Sequence, residues 1–152
     1  MDYRIAPARE ELIPQIAALE RECFSLPWTE AMLRAQLAPE THLFLAAETA
    51  AGEVLGYVGL LFVLDEGYIS NVAVAPEHRR RGIARALLRE LVHRAEEQKL
   101  AFLTLEVRAR NAAAIALYAS LGFEPVGRRK NYYEKPTEDA VLMTLWLGEQ
   151  HG

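Results

Sequence analysis

Three places in the chain carry groups whose type and spacing could do chemistry. The first is the run Arg79-Arg80-Arg81-Gly82-Ile83-Ala84, which follows the breaker Ala75-Pro76 and opens a strongly helical stretch. The first N–H groups of a helix lack intrahelical partners and sit at the positive end of its dipole, which favours a phosphate or pyrophosphate. Gly82 has no Cβ and lets a ligand approach the backbone, and the arginines add positive charge. A basic surface turn that starts a helix would have the same composition. Two nucleotide loops are excluded by spacing, because the dinucleotide fingerprint needs three glycines and the P-loop ends in Gly-Lys-Ser/Thr. The second place is Glu106, a carboxylate that could accept a proton or could pair with Arg108 two residues on. The third is Tyr118, either a proton-donating phenol or an aromatic packed on a sheet. It stands seven residues after Asn111, nearly two turns, so the two share one helix face.

Positioning these groups requires a particular order of elements. Arg4–Ile5 reads as a short strand, and Glu10–Cys23 as a helix with apolar Leu12, Ile13, Ile16, Ala17 and Leu19. Ser25-Leu26-Pro27-Trp28 breaks it, and Thr29 caps a second helix over Glu30–Gln36. Leu43–Glu48, Glu53–Val63 and Tyr68–Val74 read as strands, the first two joined by a turn at Ala51-Gly52. Gly82–Gln98 is the clearest helix, with Ile83, Leu87, Leu88, Leu91, Val92 and Ala95 recurring at three and four. Ala101–Val107 follows as a strand with Leu103, Leu105 and Val107 on one face and Thr104, Glu106 and Arg108 on the other. Asn111–Leu121 is an alanine-rich helix capped by Asn111 and stopped by Gly122; Phe123–Arg128 and Ala140–Trp146 are the last strands. The early strands suggest an antiparallel meander. The unit Tyr68–Val74, helix, Ala101–Val107 is a right-handed crossover that makes two central strands parallel. The expected architecture is a mixed α/β sheet, and ligands bind such sheets at the carboxyl ends of the parallel strands.

Composition narrows the classes. A chain of 152 residues with 51% hydrophobic and 25% charged residues suits one globular domain that needs no metal or disulfide staple, with a frayed tail at 148–152. Cys23 is the sole cysteine, and His42, His78, His93 and His151 show no metal-ligand spacing, so no metal is expected. A net charge of −4 argues against nucleic-acid binding and suits a basic partner. The absence of an apolar leader or bilayer-length apolar run points to the cytoplasm and away from membranes.

The pattern Arg79-x-x-Gly82-x-Ala84 after a strand and before a helix resembles the acetyl-CoA loop of the GNAT family of acetyltransferases. Further segments follow in family order: Cys23-Phe24-Ser25-Leu26-Pro27-Trp28, Asn71-Val72-Ala73-Val74, Leu105-Glu106-Val107-Arg108 with Asn111, Leu117-Tyr118 with Leu121-Gly122-Phe123, Asn131-Tyr132-Tyr133 and Glu138-Asp139-Ala140. Together they are similar to the bacterial RimI group, the ribosomal-protein-alanine N-acetyltransferases, over about Cys23 to Leu147. Two departures stand out: Ala84 replaces the commoner loop glycine, and Arg110 replaces a small polar residue before Asn111.

The resemblance implies a GNAT-like sheet, mostly antiparallel with one central parallel pair and flanking helices. It implies acetyl-CoA as co-substrate, held by Val72, Ala73, Val74, Arg79, Arg80, Arg81, Gly82, Ile83, Ala84, Arg85, Asn111 and Tyr118. Glu106 becomes the proton acceptor and Tyr118 the general acid, while Trp28, Asp65, Glu66, Tyr132 and Tyr133, the tyrosine pair on a loop, become the peptide groove. The implied acceptor is the N-terminal α-amine of a basic ribosomal protein, with a small-molecule amine or a protein lysine as the other acceptor class.

Overall fold

Apolar runs whose side chains are buried on both faces make central strands, and Val54–Val63 (β3) is one: its first seven residues are all buried. In the computed structural model, which describes residues 2–148, β3 lies between His42–Glu48 (β2) and Glu66–Val74 (β4). The other strands are Arg4–Pro7 (β1), Phe102–Arg108 (β5), Glu124–Tyr133 (β6) and Glu138–Trp146 (β7). Together they form one seven-stranded sheet in the order β1-β2-β3-β4-β5-β7-β6, antiparallel everywhere except between β4 and β5. The mixed sheet with its central parallel pair is as the sequence implied.

The helices are Ile13–Cys23 (α1), Glu30–Ala35 (α2), Ile83–Glu97 (α3) and Ala112–Ser120 (α4). A 3₁₀ turn at Glu10–Leu12 takes the place of the first expected turn of α1. Thr29 caps α2 by accepting the Met32 N–H at 3.2 Å, and Asn111 caps α4 by accepting that of Ala114 at 3.1 Å. The apolar stripe of α3 is buried against the sheet, with Leu87, Leu88 and Leu91 each at 0% exposure. On the opposite face α1 and α2 cover β2, β3 and the end of β4 through Ile13, Ile16, Leu33 and Tyr57. Alternation along β5 sends Leu103, Leu105 and Val107 to the α3 side and turns Thr104, Glu106 and Arg108 to the other.

Two irregularities shape the centre. The parallel pairing of β4 with β5 covers Glu66 to Tyr68 against Phe102 to Thr104 and stops there. Beyond it the strands part, so β4 from Ile69 to Val74 is paired with β3 alone. The register of β4 on β3 also jumps, with Gly59 opposite Asn71 and Leu60 opposite Ile69. Ser70 is therefore the extra residue of a bulge, a device that re-aims side chains beside functional sites. After it, Val72 and Val74 pack on the α3 side, whereas Asn71 and Ala73 face α1.

One expectation is corrected. The strand expected to end at Arg128 continues to Tyr133, because it pairs with β7 as far as Tyr133 opposite Glu138. Tyr132 and Tyr133 thus lie on a strand and not on a loop. Of the tail expected at 148–152, Gly148 is described, with φ +73°, and the remainder lies outside the described residues.

Candidate active site

The loop after β4 is built from a 3₁₀ turn at Pro76–His78 and the exposed arginines Arg79, Arg80 and Arg81. Gly82 is the N-cap of α3 and adopts φ +77°, the left-handed region where glycine is unstrained. No side chain caps α3. Its first backbone bond runs from Ala86 N–H to Gly82, and the N–H groups of residues 80–85 have no partner among the described residues. A Cβ on Gly82 would meet nothing within 4 Å, so the loop is open in front of these donors. Such an array suits a pyrophosphate. The arginines divide their work. Arg79 is turned inward, its Nε on the Val74 carbonyl at 3.2 Å and its Nη2 on Cys23 Sγ at 3.4 Å. Arg85 reaches Ser120 Oγ at 2.8 Å and ties α3 to α4. Arg80 and Arg81 are exposed, and no hydrogen bond or ion pair holds their side chains among the described residues.

On the other side of the parting, Glu106 projects from β5 with its side chain 30% exposed. Its partner is Arg129 of β6, whose Nε lies 2.9 Å from Glu106 Oε2. The pairing with Arg108 left open by the sequence is not made. Arg108 instead binds Glu138 at 3.3 Å and the carbonyls of Glu134 and Pro136, and lies over the Tyr133 ring at 4.4 Å. Burial first, and then the Glu106 carboxylate, push the Tyr132 phenol up from the ordinary tyrosine range. Tyr133 packs edge-on against Tyr132 and is pushed up to about 12, mainly by burial, with Glu106 and Tyr118 adding to the shift. Tyr118, on α4, is 9% exposed and also raised to about 12 by burial. Both phenols therefore stay protonated at neutral pH, able to donate.

The structure thus links Glu106 through Arg129 to Tyr132, whose ring lies 5.6 Å from that guanidinium, and Tyr132 to Tyr133 at 5.0 Å between ring centroids, whereas Tyr118 packs on Phe123 at 5.8 Å. Val72, Ala73 and Val74 lie on the part of β4 that has no β5 partner, next to the Arg79–Arg85 loop. Asn111 uses its Oδ1 to cap α4, at the other end of the helix from Tyr118. Trp28, in the α1–α2 loop, is half-buried against the α1 core, and its N–H reaches Glu20. Asp65 and Glu66 stand apart. Glu66 is opposite Phe102, four positions before Glu106, about 13 Å along the strand at ~3.3 Å per residue. Arg110 is exposed, and its backbone N–H is held by Glu138 at 2.6 Å. Among the described residues, no group of three or more His, Cys, Asp or Glu side chains is placed to hold a metal.

Arg129 and Glu20 are not marked as site residues by the sequence, and only the fold brings them to Glu106, and to Trp28 and Asn71. Arg129 sits in a basic run that reads as a solvated face, and Glu20 in the charged string Glu20-Arg21-Glu22. Neither carries a local signal of its tertiary partner.

The model of the acetyltransferase (GNAT) family matches residues 13–123, most of the chain. The chain belongs to the GNAT family. As a GNAT protein it is an acetyl-CoA-dependent N-acetyltransferase, and the open N–H array at α3 together with the unpaired edge of β4 fits that co-substrate. Among curated GNAT relatives, the ribosomal protein bS18-alanine N-acetyltransferase of Escherichia coli K12 is 39% identical over 137 residues, covering 88% of this chain and 90% of that protein. A putative bS18-alanine N-acetyltransferase of Bacillus subtilis is 33% identical over 141 residues, 93% of each chain. The crystal structure of the E. coli ribosomal-protein-S18-alanine N-acetyltransferase superposes with a TM-score of 0.90 at 35% identity, over 97% of this chain and 96% of that one.

Proposed function

We propose that the chain acts as a single N-acetyltransferase domain on the N-terminal α-amine of a protein, and that the acceptor is a basic ribosomal protein beginning with alanine. The observation that carries this is the part-open carboxylate of Glu106 at the parting of β4 and β5, with Arg129 on it and the Tyr132–Tyr133 pair beside that arginine. An α-amine titrates near roughly 8, so about a tenth of it is neutral at pH 7 and one carboxylate suffices as proton acceptor. A lysine near about 10.4 would need more help. The E. coli and B. subtilis relatives named for bS18-alanine acetylation support the same acceptor, and a net charge of −4 suits a basic partner. A ribosomal acceptor places the reaction in the cytoplasm. No described helix is long and apolar enough to cross a membrane.

In this mechanism the pyrophosphate of acetyl-CoA rests on the N–H groups at the start of α3, and the pantetheine runs along Val72–Val74 as an added strand. The amine nitrogen attacks the thioester carbonyl and Glu106 takes its proton. The carbon–sulfur bond then breaks, and Tyr118, held neutral by burial, returns a proton to the thiolate. Trp28, Tyr132 and Tyr133 form the walls around the amine, and Asp65 and Glu66 meet residues further along the acceptor.

The test is labelled acetyl-CoA with peptides beginning with Ala, Ser or Met, a peptide whose only free amine is an internal Lys, and a polyamine. Label on the α-amine of the Ala peptide is expected. Label confined to lysine, or turnover of the polyamine exceeding that of every peptide, would overturn the proposal.

A further inference from the structure

Glu20 is a carboxylate at 0% exposure in the last turn of α1, in a helix whose other buried residues are Ile13, Ile16, Ala17 and Leu19. Burying a carboxylate is costly unless it is fully hydrogen-bonded, and an apolar residue would serve stability as well. Its partners come from three separate elements. Oε1 accepts the backbone N–H of Trp28 at 2.7 Å, from the α1–α2 loop. Oε2 accepts the Asn71 amide at 2.7 Å, from β4, and the hydroxyl of Tyr57, from β3. Burial pushes the Glu20 carboxyl up, and the Trp28 and Asn71 donors pull it back.

The placement of these partners matters. Asn71 follows the bulge at Ser70 and lies on the stretch of β4 left without a β5 partner. Between Phe24 and Thr29, the backbone N–H bonds among the described residues are those of Phe24 and Trp28, and both end on Glu20, one on its carbonyl at 2.9 Å and one on its carboxylate. A single residue therefore holds the loop that carries Trp28 and the strand that carries the acetyl donor.

Building on the proposed α-amine activity, we propose that Glu20 is a positioning residue for acceptor choice. It fixes Trp28 against Asn71, sets the width between the acceptor wall and the donor strand, and so restricts the first residue of the acceptor. It touches neither substrate and acts through Trp28 and Asn71.

The experiment compares wild type, Glu20→Gln, Trp28→Ala, their double variant and Tyr57→Phe, each with the Ala, Ser and Met peptides and with acetyl-CoA varied separately. Glu20→Gln should raise the peptide KM about tenfold, the effect of one lost orienting hydrogen bond, and flatten the preference among first residues. The KM for acetyl-CoA should not move. The double variant should be no worse than the worse single one, because Trp28→Ala keeps the backbone N–H on Glu20 and removes only the ring that Glu20 positions, leaving Glu20→Gln nothing further to misplace. Tyr57→Phe, which removes a donor only from the core, should lower the melting temperature and leave peptide preference as in wild type. Wild-type peptide KM and preference in Glu20→Gln, additive losses in the double variant, or an equal rise in the acetyl-CoA KM would each overturn the inference. Where Glu20→Gln does not fold, Asn71→Ala at its half-buried strand position gives the same comparison with Trp28→Ala, and additivity there would overturn it too. A wild type that labels no α-amine removes the functional proposal itself; a selective wild type with an equally selective Glu20→Gln removes only the role of Glu20.

Discussion

Replacing Glu106 by Gln removes the proposed proton acceptor and almost nothing else. The side chain is 30% exposed, and its ion pair is with an Arg129 that is itself 57% exposed. Losing such a pair costs at most about 1 kcal/mol of stability, so the variant should melt close to wild type. Its effect on turnover should be far larger. A positioned general base contributes roughly a hundred- to ten-thousand-fold, and an α-amine already about one-tenth neutral at pH 7 places this case near the lower end. The expected loss in kcat is therefore about a hundredfold at pH 7, near 2.7 kcal/mol of barrier. The pH dependence makes the assignment sharper. Without a base the variant depends on amine that is neutral before it binds, and that fraction grows about tenfold between pH 7 and 9 for a group titrating near 8. The deficit should shrink by a similar factor over that range. The assay is the initial rate of CoA-thiol release with an Ala-initiated peptide from pH 6.5 to 9.5, at saturating acetyl-CoA. A Glu106→Gln variant that keeps more than about half of wild-type kcat at pH 7, with a ratio flat in pH, would refute Glu106 as the proton acceptor.

Other substitutions test the remaining parts. Tyr118→Phe should lower kcat by about a hundredfold with the acetyl-CoA KM unchanged; retained kcat would remove it as the acid. Because the Tyr118 phenol is raised to about 12, its ionisation should produce no alkaline fall in wild-type kcat below about pH 11. Gly82→Ala forces a side chain into φ +77°, at about 1–2 kcal/mol, and should raise the acetyl-CoA KM roughly five- to thirtyfold; calorimetric titration showing unchanged CoA affinity would contradict this. Leu88→Ala empties a site at 0% exposure beneath α3 and should cost about 2–5 kcal/mol in urea unfolding, and a loss under about 1 kcal/mol would mean that the α3 stripe is not the packed interface described.

The donor half of the site was legible because it is local. A strand, a breaker, a glycine and a helix with a 3.6-residue apolar period follow one another between residues 66 and 97, and each signal acts within a turn or two. The face of Glu106 was legible for the same reason, since the alternation of Leu103, Leu105 and Val107 within one strand settles it. What could not be read is what the sheet order brings together. β7, last in the chain, inserts between β5 and β6, and this places Arg129 against Glu106 across a strand not yet reached in the sequence. The extension of β6 beyond Arg128 has the same origin, because Arg129 pairs with Ala140 and Tyr133 with Glu138 across an irregular stretch at 130–132, and this overrides a polar composition that by itself favours no strand.

That division has a functional consequence. The proposed acetyl-CoA seat depends on one βα turn and a glycine, so it should be robust to change elsewhere in the chain. The proposed acceptor side draws on the α1–α2 loop, the end of β5 and the β6 strand, which meet through tertiary contacts such as Glu20 with Trp28 and Asn71, and Glu106 with Arg129. Substitutions in those segments can alter the acceptor without touching the donor, which is how one fold serves many amines. On the proposed reading, residues that join the segments are expected to carry more of the specificity than residues that merely line the groove, and Glu20, which draws partners from three elements while facing no solvent, is where that expectation is tested most directly.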